Sequence, residues 1–482
     1  MAEHSPSARK HQGPGKGTGA QQAGASRRTH APLSPARRVA LDVLGAVRTR
    51  RAFASEVISS MIDTSSLSVQ DKAFATRLVL GVVSTRGTLD ELVERHLYDK
   101  KNLEPLVRDA LRISCYEIVF LKKESFAAID QGVELVRSVT QKAVGLANAV
   151  LRKIAGEAGG FPFGDPQKDL AAFARQYAFP AWMAGLLVRE FGYQGAAEFM
   201  AASNEPAPLY IAVNALKATD QEVIGAFRSC GFEAKATAMG GAAIAGCLEV
   251  PDTKSLTDRN IKRLFSQGKI LVSDAASQLI AAMALPEKPT GPFLEIGAGR
   301  GTKSILLQSG AMRRFGEQLP LEVLDNHEFK VRLLEERAAL YGARIDKAYV
   351  ADASAPHGAF PAKAFDAVFV DAPCSGLGTL RRHPEIRWRI QPEDIDALAK
   401  ASLAILTQAS TAVKPGGVLT FSTCTVASAE NQEVVKRFLG SASGKGFVLA
   451  PVEGKPRVAT RLRIGSSDAH FAVRMERTGA SV

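Results

Sequence analysis

The chain has 482 residues, 46% of them hydrophobic, enough for two or three domains with cores of their own. Its formal net charge of +12 suits a polyanionic partner, although on charge alone a merely soluble basic protein fits as well. Five cysteines without a CxxC or Cys/His ligand spacing argue against a disulfide framework or structural zinc, and the absence of a run near the roughly 20 apolar residues of a bilayer span, or of an apolar signal core, leads us to expect a cytoplasmic protein with no metal and no membrane contact.

Residues 1–34 are Gly, Ser, Ala, Gln, Lys and Arg with almost no large apolar side chains, and are expected to form a disordered basic tail. From 35 to 158 the pattern is helical. "SPARRVALDVLGAV" opens with Ser34 as a cap and Pro35 in the first turn, and its apolar residues recur at helical spacing. "VQDKAFATRLVLGVV", "EPLVRDALRISCYEIVFL", "AIDQGVELVRSV" and "AVGLANAVLRKI" repeat that period, which predicts an all-α bundle. Residues 159–264 read as a mixed α/β connecting region, with a helix at "AWMAGLLVREFG" and a strand at "LYIAVNALK". Over 265–482, "PFLEIG", "LEVLD", "KAYVAD", "FDAVFVDAP" and "GGVLTFSTC" read as strands separated by helices. Such alternation predicts a doubly wound, Rossmann-like α/β sheet with its ligands at the C-terminal strand ends.

"FLEIGAGRGTKS" places Glu295, Gly297, Gly299 and Gly301 at alternate positions after a strand and before a helix. Glycines there let a ligand approach the backbone, and the helix N-terminus supplies free N–H groups. The spacing departs from the dinucleotide fingerprint, because Thr302 stands where its third glycine would be. Alternate glycines headed by an acid resemble the first motif of class I S-adenosylmethionine-dependent methyltransferases. The next three strands end in Asp325, Asp352 and Asp371, a row of acids that repels a phosphate-bearing cofactor and suits a cationic nucleoside.

Cys374, in "VFVDAPCSG", and Cys424, in "FSTCTVASAEN", both follow strands expected to be neighbours, so both thiols face the crevice of the glycine turn. Cys115, Cys230 and Cys247 read as small buried hydrophobes. Carbon 5 of a pyrimidine is a poor nucleophile. A thiolate added at carbon 6 makes it enamine-like, and a base must later remove the carbon 5 proton.

"DAPCSGLGTLRRHPEIRW" together with "STCTVASAEN" closely resembles the Sun-type RNA cytosine-C5 methyltransferases. The helical stretches resemble the NusB-type RNA-binding domain that precedes this module in bacterial small-subunit ribosomal RNA methyltransferases. The resemblance spans about residues 36–478. It implies S-adenosyl-L-methionine as cofactor and ribosomal RNA as partner, with Cys424 attacking the base, Cys374 assisting release, and Asp371 touching base and cofactor. It further implies a cofactor loop of Gly297, Ala298, Gly299, Arg300, Gly301, Thr302 and Lys303, with Asp325 and Asp352 on ribose and adenine. The family's usual Cys-Ala-Ala-Pro-Gly-Gly-Lys stands here as "GAGRGTK", and its Asp-Gly-Phe-Phe as "DAHF" at Asp468–Phe471.

Arg381, Arg382, His383 and Arg387 are expected to meet RNA phosphates or the neighbours of a flipped nucleotide, and Trp388 to stack on a base or to pack under its loop. A monomer is expected. Another RNA as target, a small-molecule methyltransferase and a non-catalytic antitermination factor are the alternatives. The helical domain and basic run weigh against a small-molecule substrate, and the paired cysteines and strand-end acids against a non-catalytic role.

Overall fold

A computed structural model describes residues 32–100, 102–239, 242–288, 291–355, 359–451 and 457–479; the tail expected at 1–34 lies outside them up to residue 31. The helical domain consists of α1 (Pro35–Arg50), α2 (Ala54–Met61), α3 (Val69–Glu94), α4 (Pro105–Val119), α5 (Ser125–Arg137) and α6 (Val144–Glu157). One apolar face of each helix closes a shared core around Leu41, Leu78, Leu111, Leu135 and Leu151. Pro105 sits in the first turn of α4, and Ser68 Oγ caps α3 by accepting from Asp71 N at 3.1 Å. Ser34 starts α1 without a side-chain cap; instead its N–H donates to Gln131 Oε1 at 3.0 Å, tying α1 to α5. Arg37 on α1 grips Glu117 on α4 with two hydrogen bonds of 2.8 and 2.7 Å.

Helices α7 (Leu170–Tyr177) and α8 (Ala181–Ala202) lead into a small unit, and Gly192 (φ 71°, ψ 172°) bends α8. Strand β1 (Tyr210–Val213), α9 (Asp220–Ser229), β2 (Lys235–Met239), β3 (Ala242–Glu249), α10 (Arg259–Ser266) and β4 (Ile270–Val272) form a four-stranded antiparallel sheet in the order β2-β3-β1-β4. Its last strand lies beyond residue 264, where the sequence reading placed the start of the catalytic domain. The difference arises because "ILV" pairs with β1 before the chain enters α11 (Ala275–Ala284).

The large sheet is built from β5 (Phe293–Ile296), α12 (Thr302–Phe315), β6 (Leu321–Asp325), α13 (Glu328–Tyr341), β7 (Lys347–Val350), β8 (Phe365–Asp371), α14 (Ile386–Arg389), α15 (Pro392–Ala412), β9 (Val413–Thr423), α16 (Gln432–Leu439), β10 (Phe447–Leu449), β11 (Val458–Ala459) and β12 (Phe471–Arg477). Its order is β10-β12-β9-β8-β5-β6-β7, parallel from β7 to β9, with β12 antiparallel to β9 and β11 paired to β12. The chain runs outward from β5 to β7 and then returns to β8 on the other side of β5. That reversal opens a crevice at the C-terminal ends of β5 and β8. Phe369 and Val370 in β8 are wholly buried, as expected for a parallel strand covered on both faces.

Candidate active site

Asp371 and Ser422 stand opposite each other in the β8–β9 register, so Cys374 and Cys424 leave the sheet side by side. Their Sγ atoms are 3.2 Å apart, and Cys424 N donates to Cys374 Sγ at 3.3 Å. No disulfide joins them. The pair shares its proton unequally. The hydrogen bond from Cys374 lowers the pKa of Cys424 against the opposing effect of burial, and the ammonium of Lys303 lowers it further. The same hydrogen bond, then burial, then the Cys424 charge, hold Cys374 well above an ordinary thiol. Both directions favour Cys424 as the more acidic thiol of the pair.

Lys303 Nζ donates to Asp371 Oδ2 at 2.6 Å, while Asp371 Oδ1 accepts from Ser422 Oγ at 3.0 Å. Burial pulls the Lys303 pKa down, but the Asp371 ion pair and the nearby Cys424 and Glu295 outweigh it, and the net shift is upward. Lys303 therefore stays charged beside the thiols.

The loop of Cys374 is fastened by residues whose part the sequence reading missed. Glu430, fully buried, accepts from Ser375 N at 2.6 Å and from Ser375 Oγ at 2.5 Å. Thr425 Oγ1 joins this cluster, 2.7 Å from Ser375 Oγ and 3.1 Å from Glu430 Oε2. Asn431 Nδ2 donates to Thr425 O at 3.1 Å. The signal was present in the "SAEN" of residues 428–431, whose Glu430 and Asn431 are buried polar residues shortly after the second thiol. The partner of Glu430, however, lies on the other thiol's loop.

Beside the thiols, a cavity of about 270 Å³ lies over the ends of β5, β6 and β8. Gly297, Gly299, Asp325, Asp352 and Asp371 line it, as do Asn326, Lys330, Pro373 and Ile405, which the sequence reading did not single out. Gly297 has φ 81°, and a Cβ there would stand 2.3 Å from Asp371 O, so only glycine lets the turn close on β8. Asp325 shapes the floor: Oδ2 accepts from Gly299 N at 3.0 Å and Oδ1 from His327 N at 3.0 Å. Asp352 lies two residues past the end of β7, exposed, and accepts from Ser354 N at 2.8 Å and Ser354 Oγ at 2.7 Å.

The rest of the expected cofactor loop does not line this cavity. Ala298 is buried and Gly301 stands at the N-cap of α12 with φ 79°. Thr302 Oγ1 accepts from Arg337 Nη1 at 3.1 Å, and Lys303 turns to the thiol side. Arg300 points away, its Nη1 3.4 Å from Glu56 Oε1 on α2 of the helical domain. Glu295 is wholly buried and accepts from Ser304 Oγ at 2.6 Å, fastening α12 to β5; burial pushes its carboxyl up to about 7.

The basic run after Cys374 corrects an expectation. Arg381 and Arg382 both bind Asp468, at 3.0 and 2.7 Å, and Arg382 also reaches Asp274 at 2.8 Å. Arg387 is fully buried over the Phe179 ring, donating to Ala178 O at 3.2 Å, Ser203 O at 3.3 Å, Ser84 O at 3.3 Å and Asn204 Oδ1 at 2.9 Å. Trp388 Nε1 donates to Ser84 O at 2.9 Å, and its ring packs against Gly87 on α3. Burial lowers the pKa of His383, whose ring lies 4.6 Å from that of Phe53. These side chains join the domains rather than waiting for phosphates: internal acceptors take most of the arginine donors and the Trp388 N–H, and the His383 ring lies against Phe53. Trp388 thus packs under its loop on one side while remaining only partly buried.

Comparison with known proteins fits this layout. Residues 282–458 match the family described as 16S rRNA methyltransferase RsmB/F, residues 34–156 the NusB family, and residues 179–249 the RsmF/B-like ferredoxin-like domain. The chain is 30% identical over 408 residues to the "Probable ribosomal RNA small subunit methyltransferase B" of Bacillus subtilis, covering 84% of this chain and 88% of that one. It is 29% identical over 413 residues to the protein of the same name from Synechocystis, with 84% and 89% covered. Among solved structures, PH0851 superposes with a TM-score of 0.76 at 21% identity over 93% of this chain and 100% of that one, which speaks for the fold. With the three family matches in chain order and 30% identity to a relative over most of both chains, the chain belongs to the RsmB/F family of 16S rRNA methyltransferases.

Proposed function

We propose that the chain methylates carbon 5 of a cytosine in 16S rRNA, with S-adenosylmethionine as the methyl donor and a covalent bond between Cys424 and carbon 6 along the way. The observation that carries this reading is the pair of free thiols 3.2 Å apart at the C-terminal ends of neighbouring strands, beside the cavity. Methylation at a nitrogen or oxygen has no use for such a pair.

The cavity beside the thiols suits the cofactor: its glycine turn admits close approach, and Asp325, Asp352 and Asp371 favour a cationic nucleoside over a phosphate. Bound there, S-adenosylmethionine supplies an electrophilic methyl group. In this reading the Cys424 thiolate adds to carbon 6, and the displaced electron pair makes carbon 5 nucleophilic. Carbon 5 then takes the methyl group. Asp371, which lines the cavity and is held by Lys303 and Ser422, meets both base and cofactor.

Release follows from the same electrostatics. Two of the three largest causes that hold the Cys374 pKa up come from Cys424, its hydrogen bond and its charge. Once Cys424 is bonded to carbon, both are gone, and the Cys374 thiol can give its proton to solvent and become a thiolate. Cys374 then accepts the carbon 5 proton, the carbon 6–sulfur bond breaks, and the electron pair returns to Cys424. Bisulfite sequencing of ribosomal RNA from cells with and without the gene tests the reading. One 16S cytosine losing its protection is expected, and an unchanged pattern would defeat it.

A further inference from the structure

A second cavity, of about 660 Å³, lies between α1, α3 and α4 of the helical domain and the end of the loop that begins at Cys374. It is larger than the cofactor cavity and falls in the roughly 300–1,000 Å³ range of small-ligand sites. Leu44, Val82 and Trp388 give it an apolar wall. Arginines outnumber carboxylates among its lining residues, and they divide into two sets. Arg48 pairs with Asp109 at 3.2 Å, Arg108 with Glu94 at 2.7 Å and Arg112 with Asp90 at 2.7 Å. Arg51, Arg86 and Arg389 have no ion pair with a carboxylate among the described residues. Arg389 Nη2 donates to Ala52 O at 2.8 Å and its guanidinium lies 5.5 Å over the Phe53 ring. Partial burial, then the charge of Arg112, hold the Arg86 guanidinium below its ordinary pKa in spite of Asp90 and Asp109. Glu385, the buried acid of the wall, has Oε1 engaged by Ala54 N.

We propose that this interdomain cavity binds an unpaired nucleotide of the rRNA substrate other than the cytosine that reacts, its base against the Trp388 wall and its phosphates on Arg51, Arg86 and Arg389. Unstacked bases sheltered by aromatic and apolar side chains, with guanidinium groups on the backbone, are the means by which single-stranded RNA is held. Three guanidinium groups left without carboxylates supply the charge such a backbone needs. Trp388 and Arg389 end the loop that starts at Cys374, so an occupant would brace the thiol's loop from its far end. The inference rests on RNA being the substrate and is independent of the cytosine chemistry.

The test uses the full chain with unmodified 16S rRNA transcript, comparing wild type, the Arg51→Gln/Arg86→Gln double variant, and Arg86→Lys. The double variant should raise KM for the RNA about tenfold with kcat and the KM for S-adenosylmethionine unchanged. Its slope of log binding constant against log salt should become shallower by about 0.7 for each single-strand phosphate no longer neutralised. Arg86→Lys should keep the wild-type slope. Neither arginine is held by a carboxylate among the described residues, so the melting midpoint should not move, which separates a weakened grip on RNA from a damaged fold. An unchanged RNA KM and an unchanged salt slope in the double variant would overturn the proposal. A wild-type chain that binds the transcript without methylating cytosine would instead strike the catalytic reading, and the salt slopes would still decide the cavity.

Discussion

Two halves of one stretch, Val368–Trp388, use polar side chains in opposite ways. In the first, Asp371 and Cys374 emerge from a largely buried strand and remain partly open to the crevice. Their hydrogen bonds go to each other's surroundings: Lys303, Ser422 and Cys424. In the second, Arg381, Arg382 and Arg387 have every close partner inside the fold, at Asp468, Asp274 and the carbonyls of Ala178 and Ser203. Charge and residue type would rank the arginine half as the RNA contact. The partners reverse that ranking: a donor already satisfied inside the fold has nothing left to offer a phosphate, whereas a thiol pair with an unevenly shared proton keeps reactivity in reserve.

The sharpest break in this comparison comes from the thiols. Cys424→Ala should lower turnover by about 10⁴-fold or more while leaving the thermal midpoint near wild type, since one sulfur at a crevice mouth carries little packing. Residual methylation within tenfold of wild type would remove Cys424 from the nucleophile's place. Cys374→Ala should also fail to turn over, but for another reason: addition proceeds and release does not. A slowly migrating protein–RNA band on a denaturing gel should accumulate, and a variant that is inactive without such a band would show that Cys374 acts before the adduct, not after it.

The arginine half should break differently. Arg387→Ala empties a fully buried site and leaves the carbonyls of Ala178 and Ser203 without their donor. A loss of about 3 kcal/mol is expected, read as a lower denaturation midpoint. Below that midpoint the Cys374→Ala/Arg387→Ala double variant should still trap the adduct. Should Arg387→Ala leave the midpoint untouched and instead raise KM for RNA, the division between the two halves would be wrong.

How much of this was legible follows from where each partner lies. The glycine turn, the acids at 325 and 371 and both thiols could be read because each is punctuation on a continuous apolar strand, and β8 and β9 are neighbours in register. Strands β2 and β3, "KATAM" and "AAIAGCLE", are rich in alanine and carry little strand propensity of their own; pairing with each other, and of β3 with β1, makes them strands. The role of the arginines was illegible for a different reason. Asp468 lies 87 residues from Arg381, and Asp274 lies 108 from Arg382. No local pattern announces an acid that arrives from so far along the chain. Glu430 was hidden in the same way, its partner Ser375 being 55 residues off.

The smallest expected effect separates the charges around the thiolate. Lys303 lowers the Cys424 pKa, and Asp371 raises it. If thiolate attack limits the rate, activity rises with pH along a limb set by Cys424, and that limb lies below the range of an ordinary thiol. Lys303→Gln removes the lowering charge and leaves the Asp371 carboxylate uncompensated. Both changes act in one direction, so the limb should move to higher pH. Asp371→Asn removes the raising charge and should move it to lower pH, whatever it does to the maximal rate. Alkylation of Cys424 by iodoacetamide, followed against pH in the Cys374→Ala background, reads the same ionisation without RNA. There the wild-type limb itself should lie higher, because the hydrogen bond from Cys374 is the largest cause of the lowered value. An alkylation profile indifferent to Lys303, Asp371 and Cys374 alike would mean that the thiolate owes its place to none of the groups around it.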